Sequence, residues 1–219
     1  MTLSIVIPTL NAGRWIGACL AAVREADEIV IADGGSLDGT VALADREGAR
    51  VVRSPRGRGA QLAAGAAAAA GDWLLFLHAD TRLAPGWRVA ASRHVARQPG
   101  KAACFRFRLD AGEWPARLVE AGVAARVRLL GLPYGDQGLL VSRGLYDEVG
   151  GYRPLPLMED VDLARRIGGL RIARLGVDAV TSAERWRREG WLRRSGRNLA
   201  CLCLYACGLS PERIARLYG

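Results

Sequence analysis

The feature that most constrains the fold is the alternation of apolar runs and helix-like stretches over the first 80 residues. Four short apolar runs are bounded by turn residues, a pattern typical of buried strands. They are Leu3–Pro8, Glu28–Asp33, Ala49–Arg53 and Asp72–Leu77. The helix-like stretches between them are Ala12–Arg24, Thr40–Glu47 and Gly59–Ala70. This order predicts parallel strands joined by right-handed crossovers, and therefore an open, mostly parallel α/β sheet flanked by helices.

The rest of the chain is less regular. Further predicted helices are Trp87–Arg97, Trp114–Leu130, Val161–Ile167, Arg187–Cys207 and Pro211–Leu217. Further predicted strands are Ala102–Leu109, Gly138–Val141 and two short ones near Leu170–Leu175 and Val177–Thr181. No internal repeat or linker separates these elements. We therefore expect one domain over residues 1–184 and a basic helical tail over residues 185–219 that packs on it.

The composition excludes several protein classes. Half of the 219 residues are hydrophobic, which is enough for one sizeable core and too many for a disordered chain. No apolar stretch approaches the roughly 20 residues that a membrane span needs, and the N-terminus lacks the pattern of a signal peptide. The five cysteines lack paired metal-ligand spacing, which favours buried free thiols over a zinc or redox site. A cytoplasmic protein is expected.

The formal net charge of +9 raises the question of a nucleic-acid partner. All 31 basic residues except Lys101 are arginine, a bias that a GC-rich genome produces without selection for binding. The excess is concentrated in residues 51–110, which carry +7, and residues 185–219, which carry +6. The first segment includes Arg56 and Arg58 at the start of a predicted helix, where guanidiniums suit a phosphate group, and the second segment is the tail. We therefore expect no nucleic-acid partner.

Polar or glycine-rich clusters follow each of the four predicted parallel strands. The clusters are Thr9-Leu10-Asn11, Asp33-Gly34-Gly35-Ser36, Ser54–Gly59 and His78-Ala79-Asp80. The carboxyl ends of parallel strands meet at one edge of an open sheet, which is where such sheets bind ligands. The four clusters are therefore expected to converge on one site.

The residues alone leave two interpretations of Asp33 open. Its carboxylate can accept hydrogen bonds from a nucleoside, with glycines beside it that let a ligand approach the backbone. Alternatively, Asp33 and Ser36 shape the turn after the strand. The chain lacks the Gly-x-Gly-x-x-Gly dinucleotide motif after the first strand, and it lacks a Gly-x-x-x-x-Gly-Lys-Ser/Thr phosphate loop. These absences exclude dinucleotide-binding and phosphate-loop proteins of those types.

Three further groups also have a functional and a structural interpretation. The segment Arg56-Gly57-Arg58-Gly59 opens a predicted helix, where amides and guanidiniums suit a diphosphate, or it is a solvated loop. Asp80 suits a Mg²⁺ or Mn²⁺ ion that bridges phosphate oxygens, or it caps a turn. The adjacent acids Glu159 and Asp160 suit a general base, or they complement the dipole of the helix that follows.

Taken together, these segments resemble the family 2 glycosyltransferases, which have the GT-A fold. The matching segments, in chain order, are Ser4–Asn11, Glu28–Thr40, Arg58-Gly59, Asp72–Asp80, Gly138–Val141, Val149–Tyr152 and Glu159-Asp160. The length and the segments Leu132–Gly138 and Ser210–Tyr218 resemble a small bacterial subgroup. The resemblance implies a Rossmann-like sheet and the transfer of a sugar, with inversion, from a UDP- or GDP-type donor to an acceptor hydroxyl.

The resemblance also implies roles for individual residues. On the nucleotide side, Asp33 binds the base, with Pro8, Thr9, Asn11 and Gly34 beside it.

At the reacting end, the resemblance implies that Arg58 lies near the nucleotide and that Asp80 matches the last acid of the family's Asp-x-Asp motif, which holds a divalent metal. It also implies that Asp160 matches the general base that deprotonates the acceptor, with Glu159 supporting it. The expected cofactor is therefore Mg²⁺ or Mn²⁺.

The chain departs from the family pattern at His78, which stands where the first acid of Asp-x-Asp is expected. His78 is predicted to contact the donor, while its ligation of metal is left open. This departure motivates an alternative function, a non-catalytic or weakly active nucleotide-sugar-binding protein. A sugar-phosphate nucleotidyltransferase needs a glycine- and arginine-rich phosphate loop directly after the first strand, and that loop is missing.

Two segments are assigned to the acceptor side and the tail. Asp136 and Gln137 are predicted to hydrogen-bond a sugar or phosphate, or they form a tight turn. Trp186 and Trp191 lie among six arginines in a segment that closes over the diphosphate, rests on an anionic membrane surface through residues 185–207, or packs its apolar side on the sheet.

Overall fold

A computed structural model describes residues 1–218. Its strands are β1 (Leu3–Thr9), β2 (Glu28–Asp33), β3 (Arg50–Arg53), β4 (Trp73–Phe76), β5 (Thr81–Leu83), β6 (Ala102–Leu109), β7 (Leu139–Ser142) and β8 (Ile172–Thr181). Its helices are α1 (Gly13–Ala22), α2 (Thr40–Arg46), α3 (Arg58–Ala68), α4 (Trp87–Arg97), α5 (Trp114–Leu130), α6 (Arg143–Glu148), α7 (Glu159–Ile167), α8 (Glu184–Glu189), α9 (Trp191–Ala206) and α10 (Pro211–Tyr218). Short 3₁₀ helices occupy Gly135–Gln137 and Gly169–Arg171.

The strands form one sheet in the order β3-β2-β1-β4-β7-β6-β8-β5. β3, β2, β1 and β4 are parallel, as their crossover connections predict. β7 runs antiparallel to both β4 and β6, β5 runs antiparallel to β8, and β6 and β8 are parallel. The predicted α/β sheet with flanking helices is confirmed, and its second half is mixed rather than parallel.

β1 lies inside the parallel half of the sheet and is buried on both faces. Ile5 and Ile7 pack in one core layer with Trp87 of α4. Val6 points into the opposite layer, where it meets Leu62 of α3. Because side chains alternate across a strand, a run that is apolar at each of these positions requires helices on both faces of the sheet.

Several elements differ from the sequence-based expectation. The two strands predicted near Leu170–Leu175 and Val177–Thr181 are the single strand β8, whose pairing with β6 shifts register partway along. The helix predicted at Arg187–Cys207 is two helices, because Gly190 has a φ of +86° and ends α8. The sequence did not indicate β5 or α6, since elements of three and six residues carry too little periodicity.

The C-terminal segment contacts the main core through α8. Trp186 is buried in the same layer as Leu62 and stacks on Trp191 with ring centroids 5.9 Å apart. The prediction of buried thiols is wrong for Cys203 and Cys207, which are exposed. Within residues 1–218, no helix combines the length and the apolar character required to cross a bilayer.

The contact between α3 and β1 yields a stability prediction. A Cβ at Gly65 would lie 2.4 Å from Cγ1 of Val6, which is β-branched, buried and unable to move aside. We expect Gly65→Ala to lower the free energy of unfolding by about 1–3 kcal/mol, measured by urea denaturation. The control is Gly122→Ala on α5, where an added Cβ meets no atom within 4 Å and stability should rise by roughly 0.5–1 kcal/mol. Equal shifts for the two variants would show that packing at Gly65 is not limiting.

Candidate active site

The carboxylate of Asp33, at the carboxyl end of β2, is buried in the turn that follows the strand. One of its oxygens accepts hydrogen bonds from the hydroxyls of Thr9 (2.8 Å) and Ser36 (2.5 Å). The other accepts from the N–H groups of Gly35 (2.9 Å) and Ser36 (2.8 Å). Burial raises the pKa of Asp33, but these hydrogen bonds outweigh burial and lower the pKa below its ordinary value. Four donors fill the carboxylate's acceptor sites, so Asp33 shapes this turn.

The loops after β1 and β2 are tied to each other. Asn11 has a left-handed backbone with φ +51°, and its side-chain oxygen accepts a hydrogen bond from the N–H of Leu37 (2.9 Å). The N–H of Gly34 donates to the carbonyl of Thr9 (2.9 Å). The structure thus places together five residues predicted on the nucleotide side, Pro8, Thr9, Asn11, Asp33 and Gly34.

Gln61 on α3 is a residue that the sequence analysis missed. Its side-chain nitrogen is buried and donates to the carbonyls of Thr9 (2.6 Å) and Ala32 (2.9 Å), which fixes the ends of β1 and β2 to the helix. Gly34 lies against this side chain, because an added Cβ would be 3.1 Å from it. The only sequence signal for Gln61 is an amide in the buried stripe of an alanine-rich helix.

A second cluster surrounds a cavity of about 190 Å³ beyond the end of β4, hereafter the acid cavity. Its wall carries four acids, three arginines and a histidine. They are Asp80, Asp136, Glu159, Asp160, Arg58, Arg185, Arg194 and His78. Six of these eight residues were predicted as site residues, and they come from four separate parts of the chain.

Asp160, in the first turn of α7, is held in place by two donors. One carboxylate oxygen accepts from the N–H of Gly135 (2.9 Å) and the other accepts from the hydroxyl of Tyr152 (3.0 Å). Each oxygen keeps further acceptor capacity for a group in the cavity. Burial, together with the Asp160 charge, raises the pKa of Tyr152, so the phenol stays a hydrogen-bond donor.

Glu159 is buried and pairs with Arg58, whose Nη1 lies 3.1 Å from Oε1 of Glu159. Burial and the neighbouring Asp160 charge raise the pKa of Glu159, while Arg58 opposes this shift. Met158, just before both acids, has a φ of +66°, an uncommon conformation for a non-glycine residue. This kink starts α7 so that both carboxylates lie at its positive end, which stabilises their charged forms.

His78 is neutral in this environment. Burial, followed by the charges of Arg58 and Arg185, lowers the pKa of His78 well below its ordinary value. Its Nε2 is buried without a hydrogen-bond partner in the described residues and lies 3.9 Å from Oδ2 of Asp160. A Cβ at Gly135 would approach this nitrogen to 2.3 Å, so only glycine fits between the ring and the 3₁₀ helix.

Asp80 and Asp136 face the same cavity, and neither carboxylate is paired with an arginine within residues 1–218. The Asp80 carboxylate makes no hydrogen bond or ion pair within residues 1–218, and Oδ1 of Asp136 is buried without a partner. Burial raises the pKa of Asp136 to about 6, with the charges of Asp160 and Asp80 adding to the shift and Arg126 opposing it.

No group of three or more histidine, cysteine or acidic side chains forms a complete metal cage among the described residues. Mg²⁺ sites commonly use one or two carboxylates together with substrate phosphates. The residues present therefore fit a divalent ion that Asp80 shares with a diphosphate, with the unpartnered nitrogen of His78 nearby.

Gln137 is the predicted site residue that the structure does not bring to either cluster. Its side chain is buried, and its amide nitrogen donates to the carbonyl of Phe105 (3.2 Å). Its oxygen lies 3.4 Å from the N–H of Tyr134. Gln137 therefore anchors the 3₁₀ helix that carries Asp136.

The C-terminal helices form one wall of the acid cavity. Arg185 and Trp186 of α8 and Arg194 of α9 line it, and Arg194 lies over the Trp186 ring at 5.3 Å while pairing with Glu189 at 3.0 Å. The sequence placed arginines and tryptophans in this segment but did not identify which of them reach the cavity.

The family model described as Glycosyl transferase family 2 matches residues 4–131, more than half of the chain. The chain belongs to glycosyltransferase family 2. The predicted enzyme class, glycosyltransferase, is thereby confirmed. The matched region contains the turn of Asp33, the start of α3 and the end of β4.

Solved structures of glycosyltransferases have the same fold. Glucosyl-3-phosphoglycerate synthase from Mycobacterium tuberculosis, in complex with Mn²⁺, UDP and glucosyl-3-phosphoglycerate, is 24% identical with a TM-score of 0.57, over 81% of this chain and 70% of that chain. The same enzyme with Mg²⁺ and UDP gives a TM-score of 0.58 at 24% identity, over 81% and 69%. S. aureus TarS is 16% identical with a TM-score of 0.64, over 84% of this chain and 61% of that chain. At such identities the likeness establishes the fold, and the predicted GT-A fold is confirmed.

The environment of Asp136 predicts a pH-dependent stability. Because the folded-state pKa is about 6 and the ordinary value is 3.8, the ionised carboxylate costs stability above about pH 6, and the cost disappears below about pH 4. We expect Asp136→Asn to be more stable than wild type at neutral pH. This gain in stability over wild type should be larger at neutral pH than at pH 4 by on the order of 1–3 kcal/mol. Urea denaturation with EDTA measures this difference, with Asp45→Asn on exposed α2 as the control. A stability difference independent of pH would contradict the burial of an unpaired carboxyl.

Proposed function

We propose that this protein transfers a sugar from a nucleoside-diphosphate sugar to an acceptor hydroxyl, with inversion at the anomeric carbon. The observation that carries the proposal is the Asp160 carboxylate, which faces a cavity of about 190 Å³ while Gly135 and Tyr152 hold it in place. Membership of glycosyltransferase family 2 supports the reaction class.

The donor is of the UDP type, and its base and ribose lie at the loops after β1 and β2. Support comes from the M. tuberculosis synthase of the same fold, whose structures contain UDP. Because Asp33 already accepts four hydrogen bonds, it can bind the uracil base only if one of these bonds breaks. The Ser36 hydroxyl is the donor that rotates away most easily, since Ser36 keeps its backbone bond to Asp33.

The diphosphate lies in the acid cavity, whose wall carries Arg185 together with Arg58 and Arg194, which are paired with Glu159 and Glu189. We propose that Asp80 holds a Mg²⁺ or Mn²⁺ ion, as the metals in structures of the M. tuberculosis enzyme suggest. When bound, such an ion neutralises charge on the leaving diphosphate. The Asp80 carboxylate makes no hydrogen bond or ion pair within residues 1–218, which leaves it free for this role.

The transfer is a single displacement. The acceptor O–H gives its proton to Asp160 as the acceptor oxygen bonds to the anomeric carbon. The bond from that carbon to the diphosphate oxygen breaks, and the nucleoside diphosphate leaves with the electron pair. Glu159 positions Arg58 through their ion pair, and the Tyr152 hydroxyl keeps the Asp160 carboxylate oriented towards the cavity.

A non-catalytic nucleotide-sugar binder remains the second candidate, and His78 is the observation that favours it. Release of UDP from UDP-glucose in the presence of Mn²⁺ separates an enzyme from a binder, because a binder retains UDP affinity without turnover.

We further propose that residues 1–184 form the catalytic domain and that residues 185–219 form its tail. A cytoplasmic location, and contact of residues 185–207 with an anionic membrane, stay predictions of the sequence.

The base assignment predicts the effect of Asp160→Asn. The amide still accepts the Gly135 hydrogen bond but does not take a proton, so UDP release from UDP-glucose should fall by about 10²–10⁴-fold. UDP affinity, measured by titration calorimetry, should stay within about twofold of wild type. Asp147→Asn on exposed α6 is the control. Turnover equal to that of wild type would exclude Asp160 as the base.

The metal assignment predicts the effect of Asp80→Ala. Wild type should bind UDP more tightly with Mn²⁺ than with EDTA, and the variant should bind with the EDTA-level affinity under both conditions. Calorimetric titration of UDP measures this, again with Asp147→Asn as the control. An undiminished Mn²⁺ effect in Asp80→Ala would place the ion elsewhere.

A further inference from the structure

An apolar groove of about 750 Å³ lies between α5 and α9, next to the acid cavity. One wall carries Leu118 and Val123 of α5, and the other carries Leu199 and Leu202 of α9. Trp191 closes it near the start of α9. The groove is hereafter called the α5–α9 groove.

Three apolar side chains of the α5–α9 groove are unusually exposed for their type. Trp114 is 73% exposed, Leu118 61% and Leu199 62%. Exposed apolar surface of this kind is unfavourable in water, and ligand-binding grooves are one of the places where proteins expose it. Gly122 lies on the α5 wall, and an added Cβ there would meet no atom within 4 Å, so the space beside it is open.

The groove adjoins the acid cavity. Tyr134, Asp136, Trp186 and Asn198 line both volumes. The inner end of the groove therefore lies at Asp136, on the 3₁₀ helix whose first amide holds Asp160. A second copy of the chain or a bilayer packed across the mouth of the groove would leave this inner end unused.

We propose that the α5–α9 groove binds the hydrocarbon chain of an amphiphilic acceptor, an alcohol or glycoside whose hydroxyl end lies in the acid cavity. This inference rests on the proposed function, because that hydroxyl gives its proton to Asp160 as its oxygen displaces the nucleoside diphosphate. The unpartnered Oδ1 of Asp136 is placed to accept a hydrogen bond from a neighbouring hydroxyl of the same molecule.

The test uses hexyl, octyl and decyl β-glucosides below their micelle concentrations, titrated calorimetrically into the protein with UDP and Mn²⁺. Each methylene that enters the groove should strengthen binding by about fourfold. The same glucosides serve as acceptors for UDP-glucose, and KM should fall with chain length.

A pair of glycine substitutions assigns this dependence to the groove. Gly122→Phe fills the groove from an exposed helical position and should remove the advantage of the decyl chain while UDP affinity stays unchanged. The matched control is Gly144→Phe on α6, another exposed helical glycine with no atom within 4 Å of an added Cβ. The control should keep the wild-type dependence on chain length.

The outcomes separate this inference from the proposed function. Failure of UDP to bind would overturn the donor assignment. The binding affinities of the glucosides would then still test whether the groove binds an alkyl chain. Affinity independent of chain length, or a dependence that survives Gly122→Phe, would overturn the acceptor-chain proposal. Two other results, if found without a chain-length dependence, would also overturn the acceptor-chain proposal. One is that wild type is a dimer and Gly122→Phe dissociates it. The other is that wild type binds phosphatidylglycerol vesicles and Gly122→Phe abolishes this binding.

Discussion

The burial of β1 on both faces is the constraint from which the rest of the structure follows. Ile5 and Ile7 require a helical layer on one side and Val6 requires one on the other. Helices on both faces favour crossover connections between β1 and its neighbours, so β2, β1 and β4 run parallel and end at one edge. The same packing brings α3 close to β1, since a side chain at Gly65 would collide with Val6. The packing of β1 therefore determines the edge of the sheet at which the candidate site lies.

At that edge, four carboxylates line one cavity and repel one another. The adjacent acids Glu159 and Asp160 share this cavity with Asp80 and Asp136. Like charges at short range disfavour ionisation, and burial adds to the effect. Specific contacts offset the repulsion and the burial of these two acids. Arg58 pairs with Glu159, while the N–H of Gly135 and the Tyr152 phenol donate hydrogen bonds to Asp160. Asp160 therefore has defined partners, whereas Asp136 has an unpaired buried oxygen and a pKa of about 6.

Sequence patterns predicted the regular parts of this molecule well and the irregular parts poorly. The strands that end at Asp33 and near His78 were found because buried parallel strands are short apolar runs bounded by polar turns. β8 was divided in two, since the pairing that makes it one strand comes from β6, far away in the chain.

The same limit applied to the site. Motifs predicted Asp160 and Asp80 as site residues, and the structure brings both to one cavity. The contacts of Gln61 with β1 and β2, and of the Tyr152 hydroxyl with Asp160, link distant parts of the chain, so no local pattern predicts them. The inward orientation of Gln137 depends on the carbonyl of Phe105, which the sequence does not place beside it.

The arginine-rich tail shows how a charge pattern gains meaning from packing. Arg187 pairs with Glu113, but both side chains are about half exposed, and water and salt screen such surface pairs. Burial of Trp186 in the main core contributes on the order of 1.5–3 kcal/mol, so this apolar contact is the main attachment of the tail to the domain. Because Trp186 also lines both the acid cavity and the α5–α9 groove, a displacement of α8 would reshape both volumes at once. Intramolecular ion pairs, including Arg187–Glu113 and Arg194–Glu189, therefore balance part of the positive charge of the tail, while Arg185 and Arg194 line the acid cavity.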